Sequence, residues 1–414
     1  MPDDHLRISH RLLPMSGRNP DEAHRVATPL ELLVDLAFVA AIGIAASQFA
    51  HVLAKGHIGA AVGAFAFAMF AIIWAWISFS WSASAFDTDD WFYRATTMVL
   101  MVGVLILALG LPAVFDSLDE GHGIDNGVMV AGYVVMRVAL IVQWSRVAVQ
   151  APAHRRAAMA YLAYTAIAQV GWVATAVLHL QLTTMLGAAF VLYAVELAGP
   201  LVAELRFGRT PWHPHHIAER YSLFTIIALG EGVLGTIAAV QPVIAEQGWS
   251  SDAIVIVAAG TLLTFGLWWV YFIVPFAEIL ARRPGAAFLF GYGHIPLFAA
   301  VAAAGAGLDL TAYVVEGSAE VGYVQAVQAV AIPVGIFVVT LFALYTLLVR
   351  AIDVFHLMLI ACVVVCLVAA CLLAAAGTPF AVCLMIVTIA PAIIVVGYEA
   401  IGHRHIAGHL DGLA

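Results

Sequence analysis

LELLVDLAFVAAIGIAASQFA, residues 30–50, is one apolar segment, and at roughly 20 residues it is long enough to cross a bilayer as a helix. Runs of similar length recur from there to Ala400, separated by short polar or Pro/Gly-rich connectors. Across the 414 residues, 64% are apolar and only 10% charged, with a mean hydropathy of +1.00. A soluble domain has about 45–50% apolar and about 25% charged residues, so an ordinary soluble enzyme is excluded. The expected fold is an all-α polytopic integral membrane protein. Breaking the chain at its connectors gives about twelve transmembrane helices, starting near Leu30, Ile58, Ala95, Gly127, Ala157, Leu182, Ile217, Asp252, Ala286, Gly322, Ala351 and Pro379.

Arginine sets the orientation. Arg7, Arg11, Arg18 and Arg25 precede span one, Arg94 follows span two, and Arg146, Arg155 and Arg156 follow span four. Arg206 and Arg209, Arg282 and Arg283, Arg350, and Arg404 then follow spans six, eight, ten and twelve, while the opposite connectors hold only Lys55. By the positive-inside rule both termini are cytoplasmic, in a multi-pass protein of the cell inner (plasma) membrane. The expected organisation is a cytoplasmic N-terminal tail (1–27), a first six-helix half (28–203), a cytoplasmic linker (204–216), a second six-helix half (217–400) and a cytoplasmic C-terminal tail (401–414). The N-terminal stretch carries Asp3, Asp4, Asp21, Glu22 and four arginines and has no apolar h-region, so it is not read as a cleavable signal peptide. The outward connectors are acidic, with Asp116, Asp119, Glu120 and Asp125 in DSLDEGHGID and Asp309, Glu316 and Glu320 before span ten. A net charge of −9 without a basic block excludes nucleic acid as a partner. Cys362, Cys366, Cys371 and Cys383 read as small buried hydrophobes.

An offset of about 190 residues brings LELLVDLAFVAAIGIAA opposite AERYSLFTIIALGEGVLGT, aligning Glu31 with Glu219, and FAMFAIIWAWISFSW opposite LLTFGLWWVYFIVPF. Six spans per half would make this a parallel repeat, an arrangement used by secondary transporters with a binding site near the midplane.

Ionisable groups inside spans are expensive and each wants a partner, a cavity or a function. Glu31 and Asp35, four residues apart, share a helical face. Thr28, Pro29 and Glu31 also fit a capping box, which accounts for Glu31 but not for Asp35 a turn deeper. Arg137 lies mid-span and cannot discharge by losing a proton; Glu196, Glu231 and Asp35 are its candidate partners by depth. His294 and His356 add groups that titrate near neutral pH, or helix-packing donors. Span seven opens with His213, His215, His216, Glu219 and Arg220 and then carries Gly230, Glu231, Gly232 and Gly235 deep in the membrane. Those glycines suggest a helix break beside a carboxylate, or close helix packing. The histidines are weak candidates for metal, since no Cys or second spaced pair completes a ligand set, and no metal or cofactor is expected.

No GxxxxGK[ST], GxSxG, HExxH or dinucleotide fingerprint occurs, so the expected protein is not an enzyme. RVATPLELLVDLAFVAAI, HHIAERYSLFTIIALGEGVLG, LWWVYF and YGHIPLF together resemble the bacterial low temperature requirement protein A (LtrA) family, with looser similarity in YVVMRVALIVQWSR and over nearly the whole chain. The first span is less aromatic here than the family's E-L-F-F-D-L-V-F pattern. The resemblance implies a cell-membrane protein associated with growth at low temperature, with motif positions at Glu31, Asp35, Glu219, Arg220, Gly230 and Glu231; it implies no reaction. The leading expectation is an ion- or proton-coupled secondary transporter or permeation protein acting on a small ion or small molecule. Asp35 and Glu231 would carry the cation, Arg137 would pair with one of them, and Trp74, Trp76, Trp268 and Trp269 would line the path. A non-transporting sensor or scaffold for envelope adaptation to cold is the alternative, and an intramembrane enzyme acting on membrane lipid is a third class.

Overall fold

The first helix starts at a capping box. Thr28 Oγ accepts from the backbone N–H of Glu31 at 3.2 Å, and the Glu31 carboxylate accepts from the N–H of Thr28 at 2.8 Å. Two orphan donors of the first turn are satisfied reciprocally, with Pro29 at the position where its missing N–H is harmless. The computed structural model describes residues 12–19, 22, 25–121, 123–178 and 180–412. Asp3, Asp4, Arg7, Arg11, Asp21 and the outermost parts of both tails lie outside the described residues.

The α-helices are α1 (Pro29–Ala54), α2 (Ile58–Phe86), α3 (Trp91–Asp119), α4 (Gly127–Gln150), α5 (Arg155–Val177), α6 (Leu182–Phe207), α7 (Pro214–Ala228), α8 (Gly230–Gln247), α9 (Ser251–Phe272), α10 (Phe276–Arg282), α11 (Ala287–Val315), α12 (Tyr323–Val349), α13 (Val354–Ala375), α14 (Phe380–Gly397) and α15 (His403–Asp411). Among the described residues there is no strand, and 12 helical segments are long and apolar enough to cross a membrane. One of these is α7 with α8, and another is α9 with α10. Proline sits inside six of the helices, at Pro112, Pro200, Pro242, Pro296, Pro333 and Pro391, as membrane helices tolerate. Several readings need correction: Asp116 and Asp119 lie in the end of α3, Arg146 inside α4, and Asp309 inside α11, which runs on to Val315 as an apolar, Ala-rich helix, so none of them is a connector residue, and of the four cysteines read as buried only Cys383 is.

The chain groups into two units, one of Met1–Ala41, Ala75–Ser117 and Gly121–Ile217, the other of Ile42–Trp74, Leu118–Glu120 and Ala218–Ala414. In the first, α4 packs on α5 and α5 on α6. Helices α3 and α4 approach at bare glycines: a Cβ on Gly132 would lie 2.2 Å from the backbone nitrogen of Leu107, and one on Gly110 would lie 2.3 Å from that of Met129. Small residues let backbones approach closely where the solvent is lipid and hydrophobic burial drives nothing. In the second unit α8 packs on α9 and α11, α11 on α12, and α14 on α9 and α13. A Cβ on Gly235 of α8 would lie 2.3 Å from the carbonyl oxygen of Gly305 of α11.

Candidate functional site

In the first unit two buried polar centres hold residues that the sequence singled out. At the start of α1, His216 Nε2 lies 3.2 Å from Glu31 Oε2, and one turn deeper the Trp76 indole N–H donates to Asp35 at 2.7 Å. Glu31, Asp35, Trp76 and His216 are all fully buried. His213 Nδ1 accepts from the backbone N–H of His216, which leaves its proton on Nε2 to donate to the carbonyl of Glu22 at 2.8 Å. Both ring nitrogens of His213 are thus engaged by backbone groups, while His215 is exposed. Among the described residues no group of three His, Cys, Asp or Glu side chains is arranged to hold a metal ion.

Arg137 forms the second centre with Glu196, one of the three partners its depth allowed. The guanidinium donates to Glu196 at 3.0 Å and to the Tyr133 hydroxyl at 2.5 Å, and that hydroxyl donates to the other carboxylate oxygen at 3.0 Å. Arginine and glutamate are 1% and 0% exposed. An arginine that cannot deprotonate is thereby neutralised on the spot.

The second unit holds the carboxylate at the interrupted span. The interruption falls at Leu229, between α7 and α8, where the N–H of Gly232 bonds to the Leu229 carbonyl at 3.0 Å, a tight i to i+3 turn. Gly230 faces open space, whereas Gly232 and Gly235 lie inside α8 and serve packing, Gly232 against Thr264 of α9 and Gly235 against α11. The side chain of Glu231 rests on Gly43 of α1, where an added Cβ would lie 2.9 Å from Oε1. On its other side, a Cβ on Gly305 of α11 would lie 2.7 Å from the Glu231 backbone carbonyl. Asp309, four residues beyond Gly305, shares that face of α11. Both Glu231 and Asp309 are half-buried, in contrast to the sealed Asp35.

Other singled-out residues play packing parts. His294 is enclosed by the rings of Tyr221, Tyr271, Phe276, Phe290 and Phe298. Its Nδ1 donates to the carbonyl of Phe290 at 2.7 Å, so neutral Nε2 accepts from the Tyr271 hydroxyl at 3.1 Å. Arg220 is fully buried and Glu219 half-buried on α7. Trp74 packs edge-on against Tyr292, whereas Trp268 turns outward and stacks on Phe265. In the DSLDEGHGID segment, Asp119 pairs with Lys55 at 3.0 Å and with His57.

Sequence reasoning overlooked a polar knot in the first unit. Arg146 of α4 is paired with Asp90, whose carboxylate also accepts from the N–H groups of Tyr93 at 2.8 Å and Leu13 at 3.0 Å. Burial pushes the Asp90 carboxyl up, but these donors outweigh it and hold it down at about 2. Nearby Asp87 has the opposite balance: burial, with Glu31 adding like charge, pushes it up to about 6. Arg25 donates to the carbonyls of Ala83 and Ser84. Met15, 1% exposed, joins Phe86, Tyr93, Trp144 and Val147 in one apolar cluster, and its N–H donates to Gln150 at 2.9 Å. The segment before α1 is therefore strapped onto the ends of α2, α3 and α4.

The sequence model of the bacterial low temperature requirement A protein (LtrA) family matches residues 26–391, a stretch that contains every intramembrane charge described above. The chain belongs to the LtrA family. It is 27% identical over 298 residues, 68% of each chain, to the uncharacterized protein RA0937 of Rhizobium meliloti (strain 1021). No solved structure matches this LtrA-family protein.

Proposed function

We propose that this LtrA-family protein is a proton- or cation-coupled secondary transporter or permeation protein, with Glu231 as the group that takes up and releases the ion. One observation carries the reading: Glu231 is a half-buried carboxylate directly after the helix interruption at Leu229, laid against the bare glycines Gly43 and Gly305. A carrier needs an acid within the span that solvent can reach, beside backbone that can rearrange. Asp309 on the adjoining turn of α11 adds a second negative charge that a cation would satisfy and a lone proton would share. Arg137, neutralised by Glu196, acts as a fixed strut in this reading and not as the ion's partner. The chain sits in the plasma membrane with both termini cytoplasmic, a reading supported by the alternation of arginine between connectors. The parallel 6+6 repeat belongs to the same proposal.

The test is uptake of protons, sodium or potassium by purified protein in sealed liposomes under an imposed pH or voltage gradient. Wild-type flux that Glu231→Gln abolishes is the expected outcome. Flux undiminished by Glu231→Gln would remove Glu231 from the path. The second reading, a non-transporting sensor or scaffold for envelope adaptation to cold, draws on the Arg137–Tyr133–Glu196 centre, whose opposite charges are paired within one unit. It predicts no flux from folded, correctly inserted protein.

A further inference from the structure

Helices α5 and α6 frame a groove on the first unit with a cavity volume of about 1060 Å³. Its walls are apolar over most of their length, from Met159 and Ile167 on α5 to Val195 and Val202 on α6. At its floor Gly199 lets the two helices pack closely, since the ring of Tyr164 takes the place of the absent side chain, its nearest atom 2.2 Å from where a Cβ would lie. At one end three cations converge from the two helices: Arg155 and Arg156 at the start of α5, and Arg206 in the last turn of α6. All three are exposed, and none pairs with a carboxylate among the described residues. The neighbouring acid on α6, Glu204, does not answer them. It is buried, and its oxygens accept from the Thr210 hydroxyl at 2.6 Å, the Thr210 N–H at 2.9 Å and the Tyr161 hydroxyl at 3.0 Å.

We propose that this groove binds an anionic phospholipid, its phosphate held by Arg155, Arg156 and Arg206 and an acyl chain laid along the apolar walls between α5 and α6. The dimensions agree. From Arg155 to Ile167 is about 18 Å of helix at 1.5 Å per residue, close to the depth of one leaflet, half of a hydrocarbon core of about 30 Å. An occupant of that space must be apolar along its length and negative at the arginine end, a description that fits an acidic lipid and not a soluble anion. Basic pockets between membrane helices are known to take anionic headgroups in this way, and on the proposed topology these arginines face the cytoplasmic leaflet. Each arginine near an anionic surface contributes about fivefold, so the three together contribute roughly a hundredfold in affinity. This site is independent of Glu231 and of whether the protein transports.

The full chain, purified in detergent, is titrated with phosphatidylglycerol, phosphatidylcholine or inorganic phosphate while its melting temperature is followed and bound lipid is counted by native mass spectrometry. Phosphatidylglycerol should reach half-saturation at least tenfold below phosphatidylcholine, and phosphate should have no effect. The triple variant R155Q/R156Q/R206Q should raise the phosphatidylglycerol midpoint to that of phosphatidylcholine. Ala163→Trp, which fills the groove and keeps the arginines, should weaken phosphatidylglycerol at least tenfold; Val195→Trp serves if the first variant melts lower without lipid. A preference that survives the triple variant would overturn the proposal, as would one that survives both groove-filling variants, since the arginines would then act only as general surface charge. Stabilisation by phosphate equal to that by phosphatidylglycerol would overturn it too. So would a photo-reactive residue at position 163 that crosslinks in membranes to a protein segment instead of lipid.

Discussion

Replacing Glu196 by glutamine keeps the shape of the side chain and removes its charge, leaving the Arg137 guanidinium buried without a counter-ion. The pair is 3.0 Å apart and 1% and 0% exposed, and Tyr133 offers a neutral hydroxyl as the remaining contact. Breaking one partner of such a pair costs about 3–5 kcal/mol, because an uncompensated charge stays inside. The reverse change, Arg137→Met, is milder, about 1–3 kcal/mol, since an orphaned carboxyl takes up a proton whereas arginine cannot lose one. At roughly 2 °C per kcal/mol, the low end for large domains, Glu196→Gln should lower the melting temperature by roughly 6–10 °C. The assay is tryptophan fluorescence melting in one detergent at pH 7, for wild type, both single variants and Arg137→Met/Glu196→Gln. The double variant should melt above Glu196→Gln, giving a coupling of about 1–3 kcal/mol. Equal losses in the two single variants, with the double variant losing their sum, would refute the reasoning.

Asp87, pushed up to about 6 from 3.8, binds a proton more tightly in the folded protein than in the unfolded chain, so its contribution to stability falls as pH rises from about 4 to 6. Asp87→Asn should therefore melt higher than wild type at pH 7.5, by up to about 3 kcal/mol, with the difference gone near pH 4. Asp90 has the opposite sign: held down at about 2, it stabilises fully above its unfolded value and progressively less as pH falls through that range. Asp90→Asn should destabilise at neutral pH by roughly 1–3 kcal/mol and speed tryptic cleavage after Arg18, read by gel or mass spectrometry. Gly305→Ala drives a methyl against the Glu231 backbone, and overpacking of this kind costs about 1–3 kcal/mol. Gly59→Ala, whose Cβ meets no atom within 4 Å, should leave the melting temperature unchanged or slightly raised.

The spans were legible because a bilayer imposes one length on every crossing element, so hydropathy and connectors suffice; the helices start within a few residues of the expected positions, the largest offset being at Pro152. The capping box at Thr28 was legible for the same kind of reason, since its chemistry is local. Charge at depth narrowed the partner of Arg137 to three acids, and only packing chose Glu196 among them. The surroundings of Glu231 were beyond sequence reading: Gly43, Gly305 and Asp309 lie on helices far away in the chain, and an Ala/Gly-rich face has no sequence signature that separates a lipid-facing stripe from a contact. Asp309 looked like connector because it is acidic, yet the surrounding alanines keep the helix going. Leu13 and Met15 fall in the segment read only as an N-terminal tail, and their anchors Asp90 and Gln150 are polar residues at helix ends that carry no motif.

That strap also dictates an order of assembly. Met15 reaches its partner Gln150 across 135 residues of sequence, and at a synthesis rate of about 5–20 residues per second its seat is completed roughly 7–27 s after it leaves the ribosome. Until α4 has been made, Leu13 has only Asp90 and Met15 only Phe86 and Tyr93 to close upon, so the segment is a late latch that registers whether the first four helices have come together. A bulky fusion placed ahead of Leu13 would burden the latch, whereas one placed after the last helix leaves it alone.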